Sequence, residues 1–142
     1  MTNKTIIGCV EKVKFSELEL PSVPARIDTG ATTSAVWATD IKEVKGTLYF
    51  TLFGKGSEYY NGVVIKSKSY EQRSVTSSNG ISEDRYVVKF LIQIAGRKIH
   101  ASFTLANRSG QTYPVLVGRN ILRGKFLVDV KHGQPDTVGA KE

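Results

Sequence analysis

Ala25-Arg26-Ile27-Asp28-Thr29-Gly30-Ala31-Thr32-Thr33-Ser34-Ala35 sets one acid between an apolar strand end and a run of small and hydroxyl residues. No large side chain follows until Val36-Trp37. Such a stretch presents a single carboxylate from a tight loop. Its hydroxyls can hydrogen-bond around the acid, and its glycine lets another backbone come close. Taken alone, Asp28 in a Thr-Gly turn is a simple turn former. A second Asp-Thr-Gly would complete a two-carboxylate site, and the chain has none. If Asp28 is catalytic, the second carboxylate must come from a second molecule.

Outward from this loop the texture is all-β: short runs of Val, Ile, Thr, Tyr and Phe separated by Gly, Asn, Ser and Lys. Strands are expected over 5–14, 25–28, 36–45, 46–53 and 62–69. In 46–53, Leu48, Phe50 and Leu52 alternate with Thr47, Tyr49 and Thr51, a period of two. Segments 70–77 and 81–94 flank Ser78-Asn79-Gly80, and Asn-Gly between strand-like runs signals a hairpin. Ala95-Gly96 turns the chain into 99–105, and Pro114-Val115-Leu116-Val117-Gly118 reads as a buried strand ending at a glycine. The one helix is expected over 120–125 and a last strand over 126–130. The whole reads as one domain over 1–131 followed by a flexible tail over 132–142.

At 142 residues and 40% apolar, the chain suits a single core. It has no apolar run long enough for a membrane span and no signal-peptide core at its N-terminus, so a cytoplasmic protein without membrane association is expected. The net charge of +7 favours acidic partners. The basic residues are scattered without aromatic interleaving, so nucleic acid is not expected. Cys9, the lone cysteine, sits in an apolar run and reads as a buried, inert thiol. His100 and His132 lie far apart, there is no zinc-ligand spacing, and no glycine-rich loop ends in Lys-Ser or Lys-Thr. Neither a metal nor a cofactor is expected.

The ordered layout resembles a retropepsin-like aspartic protease protomer. Asp28-Thr29-Gly30-Ala31 matches the catalytic triplet with its following alanine, and the 70–94 hairpin with Gly80 at its tip takes the place of the flap. Ile92-Gln93-Ile94-Ala95-Gly96-Arg97-Lys98-Ile99, then Pro114 to Leu122, resemble the family's hairpin, its strand-Gly-Arg-Asn motif and its helix. Within that group the chain is similar to a bacterial family whose members often carry the name ATP-dependent zinc protease. The similarity runs through 25–35, Arg73-Ser74-Val75, Ser77-Ser78, Gly80, Glu83-Asp84-Arg85, Leu116-Val117-Gly118-Arg119 and 123–129, covering residues 6–130.

The resemblance implies a closed acid-protease β-barrel with one short helix, working as a homodimer. It implies an aspartic peptidase in which two Asp28 carboxylates activate water. Thr29, Gly30 and Ala31 would support the loop, with Thr29 bonding across the two-fold axis. Ser77, Ser78, Asn79 and Gly80 would form the flap tip, and Gly118 and Arg119 would lie under the loop. Arg73 and Arg85 are candidate contacts to an acidic substrate; solvated arginines are an equal reading. Asp84 and Asp129 read as surface or ion-pair acids. Relatives of the bacterial family occur with glutamate ligases, which implies a narrower alternative, trimming of acidic, glutamate-bearing tails. A non-catalytic peptide-binding adaptor is a third, because fold alone does not establish activity.

Overall fold

A computed structural model describes residues 3–76 and 79–132 of the chain. Within them the alternating apolar runs form β1 (Thr5–Ile7), β2 (Val10–Phe15), β3 (Val23–Ile27), β4 (Ser34–Val44), β5 (Thr47–Leu52) and β6 (Ile65–Ser67). These are followed by β7 (Glu71–Thr76), β8 (Ser82–Ile94), β9 (Arg97–Ala106), β10 (Val115–Val117), the helix α1 (Arg119–Leu122) and β11 (Phe126–Val128). Ser77, Ser78 and everything beyond His132, most of the expected tail, lie outside the described residues.

Six strands close on themselves in the order β10-β3-β2-β8-β9-β4, because β10 pairs with β3 on one side and with β4 on the other. Closure leaves no open edge within the ring and seals one apolar core. Phe15, Phe90 and Phe103 fill it, Phe15 meeting Phe90 edge-on at 5.3 Å and Phe103 at 5.7 Å between ring centres. The strand period of two sorts each strand: on β3, Val23, Ala25 and Ile27 are buried while Arg26 faces out. Two hairpins use two-residue turns with both central residues at positive φ: Lys45 (48°) with Gly46 (79°), and Ala95 (48°) with Gly96 (81°). That geometry matches the strand twist, so β4–β5 and β8–β9 leave their turns in register. β4 and β5 continue past the ring as a ribbon joined by β6, with a bulge between Thr39 and Lys42.

Several expected elements differ. The strand expected over 5–14 is two strands with different partners. Gly8 N–H turns to Glu11 Oε2 (2.9 Å) and Cys9 N–H to the His132 carbonyl (2.9 Å), breaking the ladder between them. β1 therefore runs parallel to β11, and β2 enters the barrel. Cys9 is half-buried rather than sealed in, and its thiol donates to the Val130 carbonyl at 3.0 Å. The helix stops at Leu122 because Arg123 is already extended and Gly124 turns at φ 77°. In the 62–69 segment only Ile65–Ser67 pairs, since Asn61 Oδ1 takes the Val63 N–H (3.0 Å) that a ladder would use. Among the described residues no helix is long and apolar enough to cross a membrane.

Candidate active site

β3 brings the chain to Ile27, β4 carries it away from Ser34, and β10 is threaded between them. It runs parallel to β3 (Val117 opposite Ile27) and antiparallel to β4 (Leu116 opposite Ala35). The 28–33 loop therefore spans the end of β10 and rests on the residues that follow it. Asp28 N–H donates to the Val117 carbonyl at 2.9 Å, and Arg119 and Asn120 N–H donate to the Ala31 and Thr32 carbonyls at 2.8 and 3.2 Å. The backbone of the loop is thus satisfied from below.

The fit is close enough to require glycine at 118. A Cβ there would lie 2.3 Å from the Thr33 carbonyl oxygen and 2.9 Å from that of Ala31, both immovable backbone. The reason is space, because Gly118 has an ordinary φ of −102°. Its N–H donates to Ser34 Oγ (2.8 Å); Ser34 is fully buried and donates on to Asn120 Oδ1 (2.7 Å), whose amide reaches the Ser102 carbonyl (2.9 Å). Arg119 braces the loop from outside, its Nη1 on the Thr29 carbonyl and its Nη2 on Thr32 Oγ1, each at 3.0 Å.

On this support the Asp28 carboxylate is half-buried, and its Oδ1 accepts the Gly30 N–H at 2.9 Å. A Cβ at Gly30 would stand 3.3 Å from that oxygen. Thr29 and Gly30 are exposed, and among the described residues the Thr29 hydroxyl has no partner. Asp28, Thr29, Gly30, Ala31, Gly118 and Arg119 thus form one unit.

The flap candidates lie elsewhere. β7 and β8 pair from Glu71 opposite Val87 to Thr76 opposite Ser82, with Asn79 and Gly80 (φ 86°) at the turn; Ser77 and Ser78 fall outside the described residues. Asp84 sits opposite Ser74 on this exposed hairpin, and Asp129 accepts the Lys131 N–H in a turn, so neither joins Asp28. Arg73 and Arg85 are direct cross-strand partners, each tied to an acid on its own strand: Arg73 to Glu71 (3.3 Å) and Arg85 to Glu83 (2.6 Å). Their further surroundings differ. Arg73 lines a polar cavity of about 320 Å³ with Thr33, Lys89, His100 and Asn120, whereas Arg85 feels the charge of Arg108.

Arg26 and Arg108 escaped the sequence reading. Arg26 faces outward on β3, two residues before Asp28 at the start of the loop, a placement that the alternation of Ala25 and Ile27 already implied. Arg108 follows β9 in a loop with no sequence signal; its Nε donates to the Tyr113 carbonyl at 3.0 Å. Burial, then repulsion from Arg85 and Arg26, pushes its guanidinium below the usual arginine range, while Asp28 pulls the other way. A concavity of about 760 Å³ lies on the β4–β6 ribbon around Tyr49, Lys42 and Lys66 and includes none of the acid-loop residues.

A closed six-strand barrel with one short helix, carrying an Asp-Thr-Gly loop on a strand-Gly-Arg-Asn turn, defines the retropepsin-like fold. The chain belongs to the RimB-like family, described as retropepsin-like aspartic endopeptidase RimB, whose model matches residues 6–134. It is 36% identical over 131 residues to a probable alpha-L-glutamate ligase of Shewanella pealeana, covering 89% of this chain and 29% of that protein. A probable alpha-L-glutamate ligase of Parasynechococcus marenigrum is 33% identical over 135 residues, with 91% of this chain and 28% of that protein covered. The chain thus spans less than a third of the length of these curated relatives. A crystal structure of a Legionella pneumophila protein of unknown function superposes with a TM-score of 0.73 at 25% identity, covering 95% of this chain and all of that one.

Proposed function

We propose that the chain is an aspartic peptidase whose active site assembles from two copies, with Asp28 of each as the catalytic acid. The observation that carries this reading is the Asp28 carboxylate, aimed by Gly30 N–H on a loop locked from beneath by Gly118 and Arg119, beside a Thr29 hydroxyl left without a partner. In a symmetric pair the two Thr29 hydroxyls bond across the axis, and two facing carboxylates share one proton. The ionised carboxylate takes a proton from a bound water as its oxygen adds to the peptide carbonyl carbon. The protonated one gives its proton to the carbonyl oxygen. As this diol collapses, the amine nitrogen takes a proton from the dyad, the C–N bond breaks, one hydroxyl returns its proton to the dyad, and a carboxylic acid and an amine leave. The β7–β8 hairpin closes over an extended peptide and excludes water.

Acidic tails are the narrower substrate reading. Longer proteins named probable alpha-L-glutamate ligase contain a stretch similar to this chain, and a net charge of +7 suits a glutamate-bearing partner. Incubation of the wild-type chain and Asp28→Asn with a glutamate-rich peptide, read by mass spectrometry, tests the proposal. Cleavage by the first and a loss on the order of 10³-fold in the second is expected for a general acid–base pair. Equal cleavage by both removes Asp28 from the mechanism; binding without cleavage by either points to an adaptor.

A further inference from the structure

The ribbon of β4, β5 and β6 presents a second surface with its own chemistry. Its register sets Lys42 opposite Tyr49 and Tyr49 opposite Lys66. Residues directly paired across neighbouring strands project on the same side of a sheet, so the three form one row, lysine–tyrosine–lysine, across the ribbon. The ammonium of each lysine lies 5.9 Å from the centre of the Tyr49 ring. The bulge between Thr39 and Lys42 bends β4 here, and the row lies in the resulting hollow of about 760 Å³ with the exposed Val44 and Val64 and the buried Thr51. Along the chain Lys42, Tyr49 and Lys66 are far apart, which is why the sequence shows no aromatic residue set among basic ones. Strand pairing makes that interleaving.

The charges of the hollow are unsatisfied. A separation of 5.9 Å is near the limit at which a ring face still holds a cation, so neither ammonium is strongly tied to Tyr49. Among the described residues neither lysine makes an ion pair. Lys45 in the β4–β5 turn and Lys68 directly after β6 add cations to the same ribbon. Asp40, the acid that lines the hollow, sits in the bulge and pairs with neither lysine among the described residues. A fitting ligand brings negative charge on both sides of a flat apolar surface. An acidic peptide brings the charge but nothing for the ring. A nucleic-acid duplex brings phosphates but keeps its base faces stacked inside. A single strand brings both, a free base face for Tyr49 and phosphates for the lysines beside it.

We propose that the Lys42–Tyr49–Lys66 face binds single-stranded nucleic acid, one base stacking on Tyr49 and the flanking phosphates meeting Lys42 and Lys66. Binding of this kind is tolerant of base sequence. The residues of the face belong neither to the Asp28 loop nor to the β7–β8 hairpin, so the proposal stands or falls independently of the catalytic role of Asp28.

Fluorescence anisotropy of a fluorescein-labelled uridine dodecamer, titrated with the full chain, tests it. Binding with a Kd on the order of 10 μM at low salt is expected, with log K falling against log salt at a slope of about −1.4 for two phosphate contacts. Tyr49→Leu should weaken binding about tenfold, whereas Tyr49→Phe keeps it within about twofold, because the ring and not the hydroxyl stacks. Tyr49→Trp, with its larger ring, should bind severalfold tighter, and it carries the test if Tyr49→Leu does not fold. Lys66→Gln should weaken binding and make the salt slope shallower by about 0.7. No saturable binding by wild type overturns the proposal, as does unchanged affinity in a folded Tyr49→Leu or Tyr49→Trp, or an unchanged slope in Lys66→Gln. A glutamate dodecapeptide or a duplex of equal length that displaces the probe as well as unlabelled uridine dodecamer also overturns it, since charge alone would then hold the ligand.

Discussion

The acid loop and the β7–β8 hairpin lie on the same barrel and are held in opposite ways. Around 28–33, the strand-end N–H of Asp28, two carbonyls, a buried serine, a glycine with no room for a Cβ and an arginine brace fix one arrangement. From Glu71 to Thr76 the hairpin exposes nearly every residue and depends on its ladder with β8 and a few side-chain bonds, such as Thr76 Oγ1 to Ser82 Oγ at 2.8 Å. The contrast divides the work. Under the proposed two-copy site, the Asp28 carboxylate has to be held in one place to face its twin, whereas a cover that admits a peptide has to open and close.

Breaking the rigid side should cost most. Gly118→Ala drives a Cβ into the Thr33 carbonyl, 2.3 Å away, with nothing flexible to yield. We expect a loss of about 3 kcal/mol or more in chemical denaturation, or failure to fold. Ser34→Ala comes next. It strands the buried Gly118 N–H and leaves Asn120 Oδ1 without its donor, which should cost about 1–3 kcal/mol and reduce turnover as the loop loosens.

Arg119→Ala removes the outer brace on Thr29 and Thr32 but leaves the backbone bonds below. A fall of about tenfold in kcat, with a stability change near 1 kcal/mol or less, should separate positioning from folding. On the hairpin, Gly80 turns at φ 86° in open space, so Gly80→Ala should cost only about 1 kcal/mol of local order. It should raise KM more than it lowers kcat. A stability loss at Gly80 matching that at Gly118 would erase the distinction between the two regions.

The sequence made the rigid side legible and the assembly around it less so. Asp28, Gly30 and Gly118 could be read because backbone geometry leaves few residue types for those positions: one acid at a strand end, one glycine under its oxygen, one glycine where two backbones meet. The Asn79-Gly80 turn was legible for a similar reason, as few other pairs suit it. The break at Gly8-Cys9 was not, because it depends on His132, far along the chain, taking the Cys9 N–H. Arg73 and Arg85 looked alike in sequence, yet Arg73 lines a cavity with His100 and Asn120, whereas the charge of Arg85 acts on Arg108. The outward placement of Arg26 could have been found from the alternation of β3, whereas Arg108 sits in a loop after β9 that carries no sequence signal.

The shared site is tested most directly by mixing. Wild-type chain is co-refolded with increasing Asp28→Asn chain, and activity is followed per mole of wild type. If each site needs an Asp28 from two copies, random pairing lowers that activity to about one half at equal amounts and about one quarter at a threefold excess of the variant. Activity per wild-type chain that stays constant across the mixture would mean that one Asp28 works alone, contradicting the two-copy site.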